Sequence, residues 1–225
     1  MGEIALGKIA GKYAGLIEEQ LRLKTLLSEM PLKRPVRFVA GADVSVSLFS
    51  KTGFGGIVVL DITEGLKVVD KAVVRSEIAV PYIPGLLGFR EVPLLEKAYR
   101  LLKITPDVMI VDAQGKAHPR GFGSACHLGV VLGAPTIGCA KTLLCGEYEE
   151  PALKKGSKSP LIFGGKIVGY ALRTKDGTKP VFVSAGNLVA LGDCAEVVLK
   201  TTVKYRLPEP SRLAHILVNE ERKRA

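Results

Sequence analysis

Long apolar runs are missing from this chain of 225 residues. No stretch approaches the ~20 consecutive apolar residues needed to cross a bilayer, and the amino terminus lacks the basic-then-apolar order of a secretion signal. Internal repeats, low-complexity tracts and linker-like stretches are missing too. We therefore expect a cytoplasmic protein with no membrane partner, folded as one domain over residues 1–225.

Cysteine is scarce, and its spacing argues against the usual cysteine sites. The chain has no C-x-x-C pair and no histidine spacing typical of zinc, and cytosolic proteins rarely keep disulfides. None of the cysteines flanks a histidine in a way that suggests a nucleophile. We expect them to be small buried hydrophobic residues: Cys126, Cys139, Cys145 and Cys194.

Acidic residues are outnumbered, with 22 Asp and Glu against 32 Lys and Arg, which gives a net charge of +10. Such an excess suits a partner that carries many negative charges. Nucleic acid is the first candidate, while a polyphosphate substrate or a membrane surface would also account for the charge. The remaining composition, 47% hydrophobic and 24% charged, is that of a globular protein.

The first part of the chain predicts one helix followed by three strands. Apolar residues at helical spacing predict a helix from about Ile4 to Leu27, which Pro31 and Pro35 bring to an end. Three β-rich runs follow, joined by glycine-containing turns that are short enough to force antiparallel neighbours. These runs are Val36 to Leu48, Gly56 to Ile62 and Lys67 to Ala79.

The rest of the chain alternates helices and strands. The predicted elements are a helix from Val92 to Leu102, a strand from Val108 to Val111, a helix from Phe122 to Leu132, a strand from Pro135 to Gly138, strands near Leu161 to Leu172 and Val181 to Ser184, a helix from Leu188 to about Thr201 and a last helix after Pro210. The order β-β-β-α-β-α-β resembles the ribonuclease H-like fold. We therefore expect an α/β protein with a mixed sheet, three antiparallel strands and then parallel strands, flanked by helices and extended by C-terminal strands and helices.

Two aspartates stand where a carboxylate is costly. Asp43 lies within the apolar run FVAGADVSV, and Asp112 ends the apolar part of DVMIVDAQG. In the ribonuclease H-like fold the first and fourth strands are adjacent and parallel, so these two side chains would meet. A site of this kind needs a third acid near the helix after the third strand, and Glu91 stands there in GFREVPLLEKA. A helix start also suits a negative charge.

Three carboxylates from separate elements predict a site for one or two Mg²⁺ ions, with Mn²⁺ as a substitute. The metal ligands would be Asp43, Asp112 and Glu91, and the reaction would be metal-assisted hydrolysis of a phosphodiester. The alternatives are structural. A strand aspartate can accept backbone hydrogen bonds, and Glu91 can be an ordinary acid at a helix end.

Long motifs in one order make the chain similar to the endonuclease V family from about Val39 to His215. The motifs are GADVS around Asp43, PYIPGLLGFRE from Pro81 to Glu91, PDVMIVDAQGKAHPRGFGSACHLG from Pro106 to Gly129, PTIGCAK ending at Lys141, RTKDGTKPVFVSAGN from Arg173 and PEPSRLAH ending at His215. Several long motifs over most of the chain are far more specific than any single short pattern.

The resemblance implies a Mg²⁺-dependent enzyme that nicks DNA containing deaminated bases, chiefly deoxyinosine, in DNA repair. Cleavage would fall at the second phosphodiester on the 3′ side and leave 3′-hydroxyl and 5′-phosphate ends. Besides the three acids, the resemblance places His118 and Lys141 at the phosphate near the cut and His215 close to the metal. All six residues would be catalytic.

The resemblance also implies how the damaged base is reached. Pro81, Tyr82, Ile83 and Pro84 would form a wedge that separates the strands and is stiffened by its prolines. The flipped base would enter a pocket in which missing or small side chains let backbone groups approach its edge. The implied pocket residues are Gly85, Leu87, Gly88, Ala113 and Gly115.

Two positions depart from the pattern of many family members. Ala113 stands where they have glycine, and alanine adopts a positive φ less readily. Asn187 stands where they have a histidine after a Ser-x-Gly string. Both departures bear on how strictly the pocket would select inosine.

Three other functions are open at this point. An enzyme that cuts inosine-containing RNA would use the same pocket and acids. A non-catalytic nucleic-acid-binding module would keep the fold and the positive charge, and a structure-specific resolvase would prefer branched DNA irrespective of inosine. We expect the protein to be a monomer.

Overall fold

A mixed sheet forms the centre of the computed structural model, which describes residues 11–33, 35–46 and 51–225. Its strands are β1 (Phe38–Val46), β2 (Thr52–Asp61), β3 (Lys67–Glu77), β4 (Val108–Val111), β5 (Thr136–Ala140), β6 (Lys158–Phe163), β7 (Lys166–Leu172) and β8 (Val181–Ala185). They lie in the order β3-β2-β1-β4-β5-β8-β7-β6. Strand β1 pairs antiparallel with β2 and parallel with β4, so the first and fourth strands are neighbours.

Helices in the described part of the chain cover both faces of this sheet. They are α1 (Ala14–Lys24), α2 (Leu87–Tyr99), α3 (Ser124–Leu132), α4 (Leu191–Lys200) and α5 (Glu209–Arg224). Successive residues of β1 serve opposite faces: Val39 packs with residues of α4, whereas Ala40 packs with residues of α2 and α3. None of the described helices combines the length and the apolar character that a bilayer span requires.

The predicted fold class is confirmed, while several predicted elements have the wrong boundaries, among them β2, which begins at Thr52 rather than at Gly56. The segment near Leu161 to Leu172 is the hairpin β6-β7 rather than one strand, because Gly164 and Gly165 take φ values of 57° and 72° and reverse the chain. Helix α2 begins at Leu87 rather than at Val92 and runs through Pro93. The residues beside this proline are buried, so packing offsets the hydrogen bond that the proline removes.

The remaining element and cysteine predictions hold in part. Helix α1 confirms the second half of the predicted amino-terminal helix, while residues 4–10 of that prediction lie outside the described residues. Leu48, in the predicted first strand, lies outside them as well. Cys145 is only half-buried, whereas the other three cysteines are buried as expected.

Helix α5 lies very close to the sheet, because glycines in the strands beneath it lack side chains. A Cβ at Gly41 would lie 2.0 Å from the carbonyl carbon of Pro210, and one at Gly56 would lie 2.5 Å from a methyl carbon of Val218. The helix therefore lies directly over β1 and β2. This approach brings His215, on the same helix, to the strand residue two positions after Gly41.

Candidate metal site and adjoining cavity

Two aspartates from neighbouring strands meet at one end of the sheet. Asp43 belongs to β1, and Asp112 is the first residue after β4. The parallel pairing of Ala42 with Val111 continues as a hydrogen bond of 3.2 Å from the Asp112 N–H to the Ala42 carbonyl. Both carboxylates therefore lie at the same end of the sheet, as the sequence predicts.

His215 joins Asp43 and Asp112 in a group that we call the acidic cluster. One possible ligand atom from each of the three residues lies within 4.8 Å of the others. The His215 Nδ1 atom is 2.7 Å from Asp43 Oδ2, and Asp43 Oδ1 accepts the Val44 N–H at 2.8 Å. Carboxylate oxygens are the ligands that Mg²⁺ and Mn²⁺ prefer, so the acidic cluster fits a divalent cation.

The two aspartates repel one another, and one cationic side chain offsets part of that repulsion. Removal from water raises the pKa of Asp43, and the neighbouring Asp112 carboxylate raises it further. The Lys141 ammonium group pairs with Asp112 Oδ2. A divalent cation between the two carboxylates would remove the remaining repulsion, which is the physical reason to treat this end of the sheet as a metal site.

Glu91, the predicted third ligand, lies beside the acidic cluster but is not one of its members. It belongs to the second turn of α2 rather than to the helix start, so the favourable helix-end charge predicted for it is absent. The Ser124 hydroxyl donates to its carboxyl at 3.2 Å. Burial, and next the Asp43 carboxylate, raise the pKa of Glu91 to about 8. At neutral pH this carboxyl is therefore largely protonated.

A cavity of about 350 Å³ opens beside the acidic cluster, within the usual size range of small-ligand sites. Its walls come from the start of α2, the loop after β4, the start of α3 and the loop after β5. Several residues that the sequence predicts for base binding and catalysis line it together: Tyr82, Gly85, Leu87, Gly88, Asp112, Ala113, His118 and Lys141.

Gly115, predicted for the pocket, is not among the lining residues. A Cβ at this position would lie 2.2 Å from the Ala185 carbonyl oxygen of β8, and the Gly115 N–H donates to the Ser184 hydroxyl at 2.9 Å. Its missing side chain therefore serves the close packing of a loop against the sheet.

Three of the four predicted wedge residues are exposed, and Ile83 is buried. Tyr82 is 65% exposed and stands at the cavity mouth between the exposed residues Pro81 and Pro84. Ile83 is 3% exposed, because its apolar side chain is buried in the protein beneath the loop. Ile83 therefore anchors the wedge, and Tyr82 is the residue free to contact a partner.

Two histidines in the cavity wall are electrically neutral at physiological pH. Burial, and for His118 also the charge of Arg120, lower the pKa values of His118 and His127 to about 4. His118 Nδ1 accepts the Arg120 N–H at 3.2 Å, and His127 packs edge-to-face on Phe89 at 4.7 Å between ring centroids. Either imidazole could donate a hydrogen bond to a ligand, but neither would attract an anion through a positive charge.

Sequence reasoning missed the residues that hold the cavity together. Gln20, almost fully buried in α1, donates through Nε2 to the carbonyls of Gly85 at 3.0 Å and Phe122 at 2.9 Å, on two walls of the cavity. Arg120 donates to the same Gly85 carbonyl at 2.5 Å and to Gln20 Oε1. Helix α1 carries several other polar side chains, so nothing in the sequence distinguishes Gln20 from them.

Gln114 is a second cavity residue that the sequence did not single out. Its Nε2 group donates to the Thr142 carbonyl at 3.0 Å, while its Oε1 atom is buried without a hydrogen-bond partner among the described residues. The bond from Nε2 joins the loops after β4 and β5, which carry Asp112 and Lys141.

The two departures from the family pattern have simple structural accounts. Ala113 does not need a positive φ, so alanine fits there without backbone strain. Asn187 is buried, accepts the Ser28 N–H at 3.0 Å and donates to the Gly129 carbonyl at 3.0 Å. It therefore links the segment after α1 to α3, away from the cavity lining.

A mixed sheet that brings carboxylates from its first and fourth strands together beside a cavity is the arrangement of nucleases with a ribonuclease H-like fold. Comparisons with known proteins specify the class further. The family model described as Endonuclease V matches residues 19–216. An Endonuclease V from Dictyoglomus thermophilum is 48% identical over 203 residues, which cover 88% of each chain.

Solved structures agree with this match. The crystal structure of an Endonuclease V from Streptomyces avermitilis has a TM-score of 0.90 at 40% identity and covers 94% of this chain and 93% of its own. A Ciona intestinalis Endonuclease V, in complex with DNA containing an inosine followed by a ribo-adenosine, has a TM-score of 0.85 at 28% identity, covering 95% and 99%. The chain therefore belongs to the Endonuclease V family and is a nuclease.

Proposed function

We propose that the protein is a metal-dependent endonuclease that cuts DNA at the second phosphodiester 3′ to deoxyinosine. The products would carry 3′-hydroxyl and 5′-phosphate ends, and the reaction would begin the repair of deaminated DNA. The observation that supports this most is the common wall of the cavity and the acidic cluster, since Asp112 belongs to both. A nucleotide with its base in the cavity would have its backbone near the carboxylates.

Mg²⁺ is the proposed cofactor, with Mn²⁺ as a substitute, and Asp43 and Asp112 would hold it. When bound, the ion supplies positive charge that stabilises the phosphodiester as negative charge develops on it. Glu91 would contribute the third carboxyl of the site. Its proton is held first by burial and next by the nearby Asp43 charge, so compensation of that charge would favour the ionised form.

Lys141 and His118 would act on the phosphate in different ways. Lys141 lines the cavity and already pairs with a carboxylate of the acidic cluster, so its ammonium charge stands where transition-state charge would develop. His118 is neutral at physiological pH because of its lowered pKa. It would therefore position the phosphate through a hydrogen bond rather than through charge.

The wedge and the cavity would select the damaged base. Tyr82, exposed at the mouth, would fill the gap that a flipped nucleotide leaves in the duplex. Hypoxanthine offers a carbonyl and a ring N–H where adenine offers an amino group and an acceptor. Backbone groups beside Gly85, Gly88 and Ala113, where side chains are small, would read this difference.

A nicking assay on one duplex with a single deoxyinosine, with and without Mg²⁺, tests the proposal. We expect cutting by the wild type only with the metal, at the second phosphodiester 3′ to the lesion. The Asp43→Ala variant should bind the duplex but not cut it. The control Glu64→Ala, which removes an exposed acid in the turn after β2, should cut normally. Undiminished cutting by Asp43→Ala would sink the mechanism. Tight binding without cutting by the wild type would favour a non-catalytic binding module.

Inosine-containing RNA is a second candidate substrate. The nucleic acid bound to the Ciona intestinalis relative has a ribonucleotide directly after the inosine, which gives a specific reason to test RNA. The discriminating measurement compares kcat/KM on matched DNA and RNA strands that differ only in their sugars. A preference for the RNA strand by more than tenfold would move the proposed substrate from DNA to RNA.

A further inference from the structure

Both ring nitrogens of His215 already have protein partners. Nδ1 faces Asp43 Oδ2 at 2.7 Å, and Nε2 faces the Asn219 side-chain amide at 3.2 Å. Asn219 is one helical turn further along α5, and its amide reaches back over the imidazole. A histidine whose two nitrogens are engaged in this way is poorly placed to give a lone pair to a metal ion.

The orientation of the Asn219 amide is set by two other bonds. Its Nδ2 group also donates to the His215 carbonyl at 2.8 Å, and its Oδ1 atom accepts the Ser45 hydroxyl at 2.9 Å. A carbonyl can only accept, so the NH₂ end of the amide must point toward His215. The amide therefore presents an N–H to His215 Nε2, and Nε2 must be the unprotonated nitrogen of the neutral ring.

We propose that Asn219, held by Ser45, is a positioning residue that fixes the proton of His215 on Nδ1. His215 then donates to Asp43 Oδ2 and orients that carboxylate, instead of serving as a metal ligand. A free neutral imidazole has no such constraint, so the three polar bonds around Asn219 set the tautomer. The link to catalysis rests on the proposed function, but the tautomer itself does not.

The hydrogen bonds that join Ser45, Asn219 and His215 could not be predicted from the sequence, because these residues come from distant segments. Ser45 is in β1 on the same face as Asp43, two residues further along, and α5 lies over that face because Gly41 lacks a side chain. Hydrogen bonds from neighbours outside the ligand set commonly fix the ligands of a metal site, and their loss costs about 10- to 100-fold in metal affinity or activity.

The direct test is a nitrogen NMR measurement on the metal-free full chain labelled with [¹⁵N]histidine, at about pH 8.5, where a free imidazole is neutral. The chain has three histidines, and the signals of His215 are those lost in the His215→Gln variant. We expect the wild-type ring to carry its proton on Nδ1. A proton on Nε2 would overturn the proposal without any assumption about activity.

Variants separate positioning from general stability. In Asn219→Leu we expect the His215 proton to be shared between Nδ1 and Nε2. In Ser45→Ala the Asn219 amide can turn, so a smaller share of the proton should move to Nε2. Glu220→Gln, a change at the next, exposed position of α5, should leave the tautomer unchanged. If Asn219→Leu does not fold, the Asn219→Asp variant serves instead: its carboxylate can only accept from Nε2, so Nε2 should carry a proton in addition to the one on Nδ1.

The consequence for the metal is measured separately, by titrating the same proteins with Mn²⁺ in the absence of nucleic acid. We expect the dissociation constant to rise about 10- to 100-fold in Asn219→Leu and to stay unchanged in Glu220→Gln. An unchanged Mn²⁺ affinity in Asn219→Leu would refute the positioning role. If the wild type carries the proton on Nδ1 and binds Mn²⁺ but does not nick the deoxyinosine duplex, that result would count against the proposed function instead.

Discussion

The acidic cluster and the cavity share a wall, but their histidines have opposite environments. His215 is 52% exposed and bonded to a carboxylate, whereas His118 and His127 are buried, and burial lowers their pKa values to about 4. One region thus gathers charged groups, and the other, apart from Asp112 and Lys141 beside the acidic cluster, is lined by uncharged residues. A site for a cation and a site for an uncharged base need this difference.

Asp112 belongs to both regions, so its substitution is the strongest test of the separate roles of the acidic cluster and the cavity. We expect Asp112→Asn to lower kcat for nicking by about 10³-fold or more, since a metal carboxylate supports several kcal/mol of charge stabilisation. Binding of the deoxyinosine duplex in the presence of a chelator should change little. A raised KM with an unchanged kcat would assign Asp112 to the cavity alone and break the comparison.

Tyr82 tests the recognition side at its exposed edge. We expect Tyr82→Ala to lower kcat/KM on a deoxyinosine duplex by about 10- to 100-fold, because base stacking on an aromatic ring contributes about 1–3 kcal/mol. A single-stranded substrate has no gap to fill and should be cut at nearly the wild-type rate. The control is Tyr205→Ala, another exposed tyrosine that is not among the residues lining the cavity. Equal losses on both substrates would contradict a wedge role.

Gly85 tests how strictly the cavity wall is positioned. Its φ is 79°, and a Cβ would lie 2.6 Å from Arg120 Nη2. We expect Gly85→Ala to lower the free energy of unfolding by about 1–3 kcal/mol and to raise KM. Gly165→Ala is the matched control, since its φ is 72° but nothing lies within 4 Å of its Cβ position. If both variants lose the same stability, the Arg120 contact has no share in the effect.

The last effect concerns the buried histidines, and it is expected only in acid. Between the unfolded pKa of about 6.5 and the folded value of about 4, the unfolded state binds the proton and the folded state does not. Stability therefore falls as the pH falls through this window, by up to about 1.4 kcal/mol per pH unit for each such histidine. His127→Leu should lose less stability than the wild type between these pH values in urea unfolding. Identical pH slopes would contradict a neutral, buried His127.

The sequence predicted the charged half of the site better than the neutral half. Asp43 and Asp112 stood out because a carboxylate in an apolar strand is costly and needs a reason. Ile83 and Gly115 were assigned to the wedge and the pocket from motif position, yet Ile83 is buried beneath its loop and Gly115 packs closely against the sheet. Gln20 gave no signal at all, since its partners lie 65 and 102 residues away.

Local pattern determined most of the order of strands and helices along the chain, the family motifs and the choice of Asp43 and Asp112 as candidates, because periodicity and the cost of buried charge are written in neighbouring residues. Only the tertiary structure decided which groups share an environment. The approach of α5 over Gly41 brought His215 to Asp43, with Asn219 beside it, and burial raised the pKa of Glu91. Distances between remote segments and the loss of water around them set these outcomes, and neither is encoded at any single position of the chain.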